Sequence, residues 1–401
     1  MADKICIHTN SKIDNIKERV LEKSLKSIIE KEGYLNYEIV TRKFNTGGGN
    51  FLGELMEVDV KGEAVDGEKE TNLFVKKAIN FEKIITLNGN EVIHKELFVY
   101  IDLSPVVTHL QDTAEVPSED RFKIPKAYSE SSEHALIFEN LAKKGFKTYG
   151  KYDVLPLKYM ELAIQELGRF HGISFVIERR MPDFYENKIK TQKSPFNFND
   201  DWKGLMEKIF LYTANLLGGE TKRRIEDYLP IAIKKYPVYD NDQTSVRCCL
   251  SHVDYRSANI LVREIDGEPV EVITVDYQLL DYGCPLRDLL FFIYSTTSKD
   301  FRREHMVHLK DLYFETLTRY LKYFDLDIED VYPRKEFEEV YKEWKDYGLI
   351  RTLYSSVFLF APDSGLDVSK LCLAELPYEP GPEVQERARG WIEEFIEDGY
   401  L

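Results

Sequence analysis

Three features between positions 252 and 276 have the residue types and spacing for chemistry: the triplet His252-Val253-Asp254, then Asn259, then Asp276 at the end of a β-rich run. Moving a phosphoryl group calls for a carboxylate that orients an attacking hydroxyl and accepts its proton. It also calls for oxygen ligands to the magnesium ions that bridge nucleotide phosphates. A loop carrying Asp254 and Asn259, followed by a hairpin presenting Asp276, can bring three such oxygens around one phosphate. An H-x-D with an Asn nearby also arises by chance in a long chain; the order of these residues on strand-like segments is what singles them out.

The elements that must position them read clearly. Residues 246–250 are a mostly apolar run that predicts a buried strand feeding the loop. Residues 259–262 and 270–277 are β-rich, and Asp266-Gly267 between them is a hairpin turn signal. The Asp254-to-Asn259 spacing equals that of the kinase catalytic loop, and Asp276-Tyr277-Gln278 stands where those enzymes carry D-F-G.

Upstream, residues 11–32 place apolar side chains at helical spacing, with Ser11 as a cap and Gly33-Tyr34 as the stop. Residues 38–44 and 54–60 predict strands around the glycine-rich turn Gly47-Gly48-Gly49-Asn50. Such a turn lets backbone N–H groups approach phosphates without a Cβ in the way, although a plain hairpin loop has the same composition. A further strand ends in Lys76-Lys77, whose side chains face opposite sides. Residues 92–100 predict a helix, 124–128 and 135–139 two strands, and 157–175 a long helix.

Residues 181–241 combine Pro, Asn and the aromatics Phe184, Tyr185, Phe196, Phe198 and Trp202 with helical stretches at 202–217 and 222–235. Helices follow from 288 and over 301–324, 335–360 and 382–397, with an aperiodic loop at 361–381.

The chain has 401 residues, 43% of them hydrophobic and 31% charged, a soluble globular composition with room for sizeable cores. Its formal net charge of −16 argues against nucleic acid or an anionic membrane as the main partner, since both need a positive face. Five cysteines without paired C-x-x-C spacing suggest neither a disulfide framework nor zinc, and point to a reduced, cytoplasmic setting. No leader is expected at the N-terminus, and no stretch approaches the ~18 apolar residues of a membrane span.

Taken in order, these motifs resemble the ecdysteroid kinase-like family, also called the choline-kinase-like group, which is grouped with aminoglycoside and choline kinases. The family pattern is H-G-D, an Asn five residues on, D-F-Q, then P-x-x-D-L. This chain has His252-Val253-Asp254, Asn259, Asp276-Tyr277-Gln278 and Pro285-Leu286-Arg287-Asp288-Leu289. It departs from the pattern at Val253, where Gly is usual, at Tyr277, where Phe is usual, and at Gly53, where Ser is usual.

The resemblance implies an α+β, bilobal protein-kinase-like fold. A β-rich N-lobe would span residues 1–139 and a mostly helical C-lobe residues 140–401, with an acceptor-binding insertion at about 181–241. It implies ATP and Mg2+ as cofactors. Asp254 would be the catalytic base and Asn259 and Asp276 the metal ligands. Gly47, Gly48, Gly49, Asn50, Lys76, Glu96, Glu139 and Leu141 would hold the nucleotide, with Glu96 pairing Lys76 and Glu139-Asn140-Leu141 forming the hinge. His252 and Asp288, with His171 and Ser174 below them, would support the loop.

Arg256, two positions after the base, is a candidate contact to the γ-phosphate. With only about a dozen residues between Asp276 and Asp288 there is little room to dock a peptide, so the acceptor is expected to be a small hydroxylated molecule, an ecdysteroid or related steroid first. A choline-type, aminoglycoside-type or xenobiotic kinase remains open, as does a kinase-fold protein that binds a ligand without turnover. Oligomeric state is not legible.

Overall fold

The computed structural model describes residues 12–44, 53–78, 89–361 and 372–401. Helix α1 (Lys12–Lys31) ends at Gly33, whose φ of +78° is left-handed and cheap only without a Cβ. The chain turns directly into β1 (Tyr34–Phe44), earlier than the expected start at 38. Strands β2 (Gly53–Ala64), β3 (Gly67–Ala78) and β4 (Ala135–Glu139) complete a four-stranded antiparallel sheet in the order β1-β2-β3-β4. Alternation along β2 turns Met56, Val58 and Val60 toward one face, where they form a core with Leu21, Leu25, Ile28 and Ile29 of α1.

Between β3 and β4 lies a longer helical run than expected: α2 (Gly89–Leu97), a π-helical segment (Phe98–Leu103) and α3 (Ser104–Thr113). Pro105 lacks an N–H and would crowd the carbonyl four residues back. The backbone meets this by widening one turn, with Ser104 N–H bonding Val99 O. The expected strand at 124–128 is reduced to an isolated bridge, Ala127 with Phe138. Pro125 interrupts the donor ladder there.

The rest is mostly helical. In order come β5 (Phe146–Lys147), α4 (Leu157–Arg180), α5 (Pro182–Phe184), a π turn (Tyr185–Ile189), α6 (Asp200–Leu217) and α7 (Gly219–Asn241). Then follow β6 (Cys249–Ser251), β7 (Ile260–Ile265), β8 (Glu268–Thr274) and β9 (Asp281–Gly283). Last come α8 (Leu286–Thr296), α9 (Lys299–Lys322), α10 (Ile328–Val331), α11 (Arg334–Leu359) and α12 (Pro382–Glu397). The small strands form a β5-β7-β8 sheet and a β6-β9 pair.

Every residue of α8 is buried, so it is the axis of the second and larger core. That core takes in Phe98, Tyr100 and Leu103 from the π segment, and Trp202, Leu205 and Ile209 from α6, so the 181–241 stretch packs into the body of the molecule. A sheet-rich N-terminal region followed by a helical C-terminal region is the α+β class expected. Among the described residues no helix is long and apolar enough to cross a membrane.

Candidate active site

The β7–β8 hairpin sets the geometry. Its turn, Asp266-Gly267, has φ of +52° and +84°, the left-handed pair of a type I′ turn that matches the strands' twist. From that turn the pairing passes a one-residue shift between Arg263 and Glu264 and reaches Ile260 opposite Thr274, and Val275 N–H donates to Asn259 O at 2.9 Å. Asn259 therefore lies across from the residue just before Asp276.

Asn259 Nδ2 reaches back to Asp254, donating to its main-chain O and to Oδ2, both at 2.9 Å. Asp276 is itself left-handed, φ +70°, a conformation Asp tolerates better than most residues. Its N–H donates to the Tyr100 hydroxyl at 3.1 Å, while Oδ1 lies 2.5 Å from Lys76 Nζ.

Lys76 points from β3 to this place and Lys77 to the other face, where it pairs with Glu54 at 3.2 Å, as alternation requires. Lys76 Nζ also pairs with Glu96 Oε2 of α2 at 2.7 Å and donates to Gln278 Oε1 at 3.3 Å. Burial works against the ammonium, but Asp276 and Glu96 outweigh it and push its pKa up. For Glu96, burial comes first and the charge of Asp276 adds to it, so its carboxyl rises to about 7 against the pull of Lys76. One ammonium thus serves two carboxylates.

The loop itself is held from α8. Asp288 accepts His252 N–H at 2.6 Å and Val253 N–H at 2.7 Å. Behind it, burial pushes His171 down and keeps it neutral, so Nε2–H donates to Asp288 at 3.2 Å and Nδ1 accepts the Tyr313 hydroxyl at 2.8 Å. Burial would raise Asp288, but the hydrogen bond from His171 holds it below its ordinary value. His252 Nε2–H donates to Val275 O at 3.0 Å, tying the loop to the hairpin, and Ser174 accepts Leu250 N–H at 3.0 Å. Val253, where the resemblance has Gly, has φ +69°. A backbone so placed costs about 1–3 kcal/mol and persists only when its surroundings over-determine it.

Arg256, the candidate γ-phosphate contact, lies on Asp254: its Nε is 3.1 Å from both carboxylate oxygens, and the side chain is buried. Leu141 packs with Phe146 and Ile273 in a small apolar cluster. Glu139 pairs with Lys144 at 2.5 Å. Between them Asn140 is fixed, its side chain accepting Ala142 N–H at 3.0 Å and donating to Glu57 at 2.8 Å. Gly47, Gly48, Gly49 and Asn50 lie outside the described residues.

Two contributors escaped sequence reasoning. Gln278 was legible only as part of the Asp276-Tyr277-Gln278 triplet. Arg351 of α11, whose Nη2 donates to Val253 O at 2.9 Å, carries no sequence signal at all.

Among the described residues no group of three or more His, Cys, Asp or Glu is arranged to hold a metal unaided. The donors present, the Asp276 carboxylate and the Asn259 amide oxygen, suit a hard cation such as Mg2+ that takes its remaining ligands from phosphates and water. The crowding of Asp276 and Glu96 around Lys76 fits that too.

No curated protein matches the sequence. Among solved structures, the chain is similar to the GDP and kanamycin complex of APH(2")-IIia, at 15% identity, covering 83% of this chain and 98% of that one with a TM-score of 0.39. It is also similar to the GDP complex of wild-type aminoglycoside 2'-phosphotransferase-IIIa, at 11% identity, 94% and 98% coverage and a TM-score of 0.41. Likeness that loose supports no residue-by-residue correspondence. Residues 47–326, well over half of the chain and with every site residue above except Arg351, match the ecdysteroid kinase-like family, and the chain belongs to it.

Proposed function

We propose that this protein is an ATP- and magnesium-dependent small-molecule kinase that phosphorylates a hydroxyl of a neutral acceptor, an ecdysteroid or related steroid. The observation that supports it most directly is the unbroken series of contacts from Asp254 through Asn259 and the hairpin register to Asp276, Lys76 and Glu96.

Bound MgATP supplies the γ-phosphoryl group and a cation that offsets its developing charge. Asp254 orients the acceptor hydroxyl and takes its proton. Asn259 keeps that carboxylate in place and, with Asp276, offers oxygens to the cation. Lys76, fixed by Glu96, holds the nucleotide phosphates. Leu141, Phe146 and Ile273 give the base an apolar surface.

Local charge supports a neutral acceptor over choline or an aminoglycoside. Asp254 is flanked by two guanidiniums, Arg256 on its oxygens and Arg351 on the preceding carbonyl. A cationic acceptor would be repelled there. The half-buried rings on that side, Phe196 against Arg351 and Phe198 against Trp202, offer apolar surface instead.

Incubation with MgATP and a panel of ecdysteroids, other hydroxylated steroids, choline and kanamycin tests the reading through acceptor-dependent ADP release. Release with a steroid is expected. Release with choline or kanamycin alone overturns the acceptor class. Tight nucleotide binding with no release for any acceptor replaces the enzyme with a ligand-binding protein.

A further inference from the structure

Val253 has a left-handed backbone, φ +69°, although its branched Cβ crowds the neighbouring carbonyl there. Two buried groups grip it from opposite ends. Asp288 takes its N–H at 2.7 Å, and Arg351 Nη2 donates to its carbonyl at 2.9 Å.

Arg351 is only 4% exposed. Its Nη1 donates to the Tyr236 hydroxyl at 2.8 Å, and the guanidinium lies 4.8 Å from the Phe291 ring centre and 5.4 Å from that of Phe196. Among the described residues its bonded partners are thus a carbonyl and a phenol, with no carboxylate. Nε–H is buried without a partner. A buried guanidinium with no bonded counter-ion is expensive to keep. What it accomplishes at this place is to fix the peptide that joins Val253 to Asp254, and the orientation of that peptide sets where the Asp254 side chain points.

We propose that Arg351 is a positioning residue for phosphoryl transfer: with Asp288 on the Val253 N–H, its bond to the Val253 carbonyl clamps the strained Val253 backbone so that the Asp254 carboxylate faces the acceptor hydroxyl. The inference rests on the kinase reading and adds to it a residue from α11, far outside the motif region. Two consequences follow. Loss of Arg351 lowers turnover and leaves nucleotide affinity nearly intact, because Lys76, Glu96 and Asp276 do not bond to it. The loss is also milder when position 253 is glycine, which adopts a positive φ freely and has less need of a clamp.

The test is a double-mutant cycle with Arg351→Met, Val253→Gly and the pair together, plus Arg351→Lys. It reads kcat, acceptor KM, MgATP Kd and Tm. Arg351→Met is expected to lower kcat on the order of 10²-fold, since a small displacement of a reacting group has that effect, with Kd for MgATP within about twofold. Adding Val253→Gly is expected to recover about fivefold or more of kcat, a coupling typical of groups in contact. Arg351→Lys, which keeps one donor, is expected to fall between wild type and Arg351→Met.

Unchanged kcat in Arg351→Met, or an equal loss with and without Val253→Gly, overturns the proposal. If the wild-type protein phosphorylates no acceptor, the kinase reading fails on its own. The clamp is then judged by Tm: the loss caused by Arg351→Met should be smaller in the Val253→Gly background, and an equal loss in both overturns it.

Discussion

Asp254, the proposed base, has unusually full surroundings. Asn259 donates to one carboxylate oxygen and Arg256 lies against both. A base already holding a guanidinium must share it once an acceptor hydroxyl arrives, and the nearest new anion is the transferred phosphoryl group. On the proposed kinase reading, that places Arg256 to follow the charge from base to phosphate. Arg256→Ala is expected to lower kcat about 10²-fold, the usual cost of removing one donor that stabilises developing charge, with MgATP affinity little changed. Steady-state turnover checks this, and wild-type kcat in the variant would remove Arg256 from the chemistry.

Much of this level was legible in the sequence. The residue types and spacing of Asp254, Asn259 and Asp276 anticipated that they lie in one place, and the direction of Lys76 followed from strand alternation together with the family pattern. Arg351 was not legible, because its contact to Val253 spans 98 positions and rests on how one helix packs rather than on any local pattern.

The elements show which local signals hold against tertiary context. Asp266-Gly267 specifies its own turn, and a one-residue shift in the ladder between Arg263 and Glu264 completes the register that places Asn259 beside Val275. The long helices lie within a few residues of where their apolar spacing puts them, and α12 has the expected limits of 382 and 397. Two expectations gave way for identifiable reasons. Pro125 reduced a strand to a bridge, and the helix expected over 92–100 runs on to 113, one π-helical turn accommodating Pro105.

The turn also gives a test. Gly267 has φ +84° with open space where a Cβ would sit, so Gly267→Ala meets no clash and suffers only the left-handed penalty. That penalty is roughly 1–2 kcal/mol. Urea denaturation should show the destabilisation with an unchanged m-value, while kcat of the folded protein stays close to wild type. A large loss of kcat would mean that the register depends on the turn more delicately than the ladder suggests.

At the scale of the molecule, the site exists only where the sheet and the helical body meet. Lys76 of β3 bonds Asp276, and Lys95, next to Glu96 on α2, donates to Lys193 O and Leu280 O, each at 2.6 Å. The helix that carries Glu96 is thereby pinned to the body.

Below that junction Arg287 is buried between Asp281 and Asp240, one guanidinium for two carboxylates. Burial, with Asp240 adding to it against the pull of Arg287, raises the Asp281 carboxyl to about 7. The folded protein therefore keeps that proton in a range where the unfolded chain, at an ordinary value of about 4, has released it. The sign follows: stability from this group is complete below about pH 4 and is lost as pH rises through about 7. Asp281→Asn stays neutral at every pH. Its stability relative to wild type should rise between pH 5 and 8 in denaturation curves, and a pH-independent difference would show that Asp281 is ionised throughout.

The central claim is that Asp254 is the base of a phosphoryl-transfer centre whose nucleotide side is built separately by Lys76, Glu96 and Asp276. Single-turnover transfer from γ-labelled ATP to an acceptor identified in the panel, compared between wild type and Asp254→Asn with MgATP affinity measured alongside, tests it most directly. The account expects the transfer rate to fall about 10²–10⁴-fold, as for loss of a general base, with MgATP Kd nearly unchanged. Transfer at the wild-type rate in Asp254→Asn would contradict it.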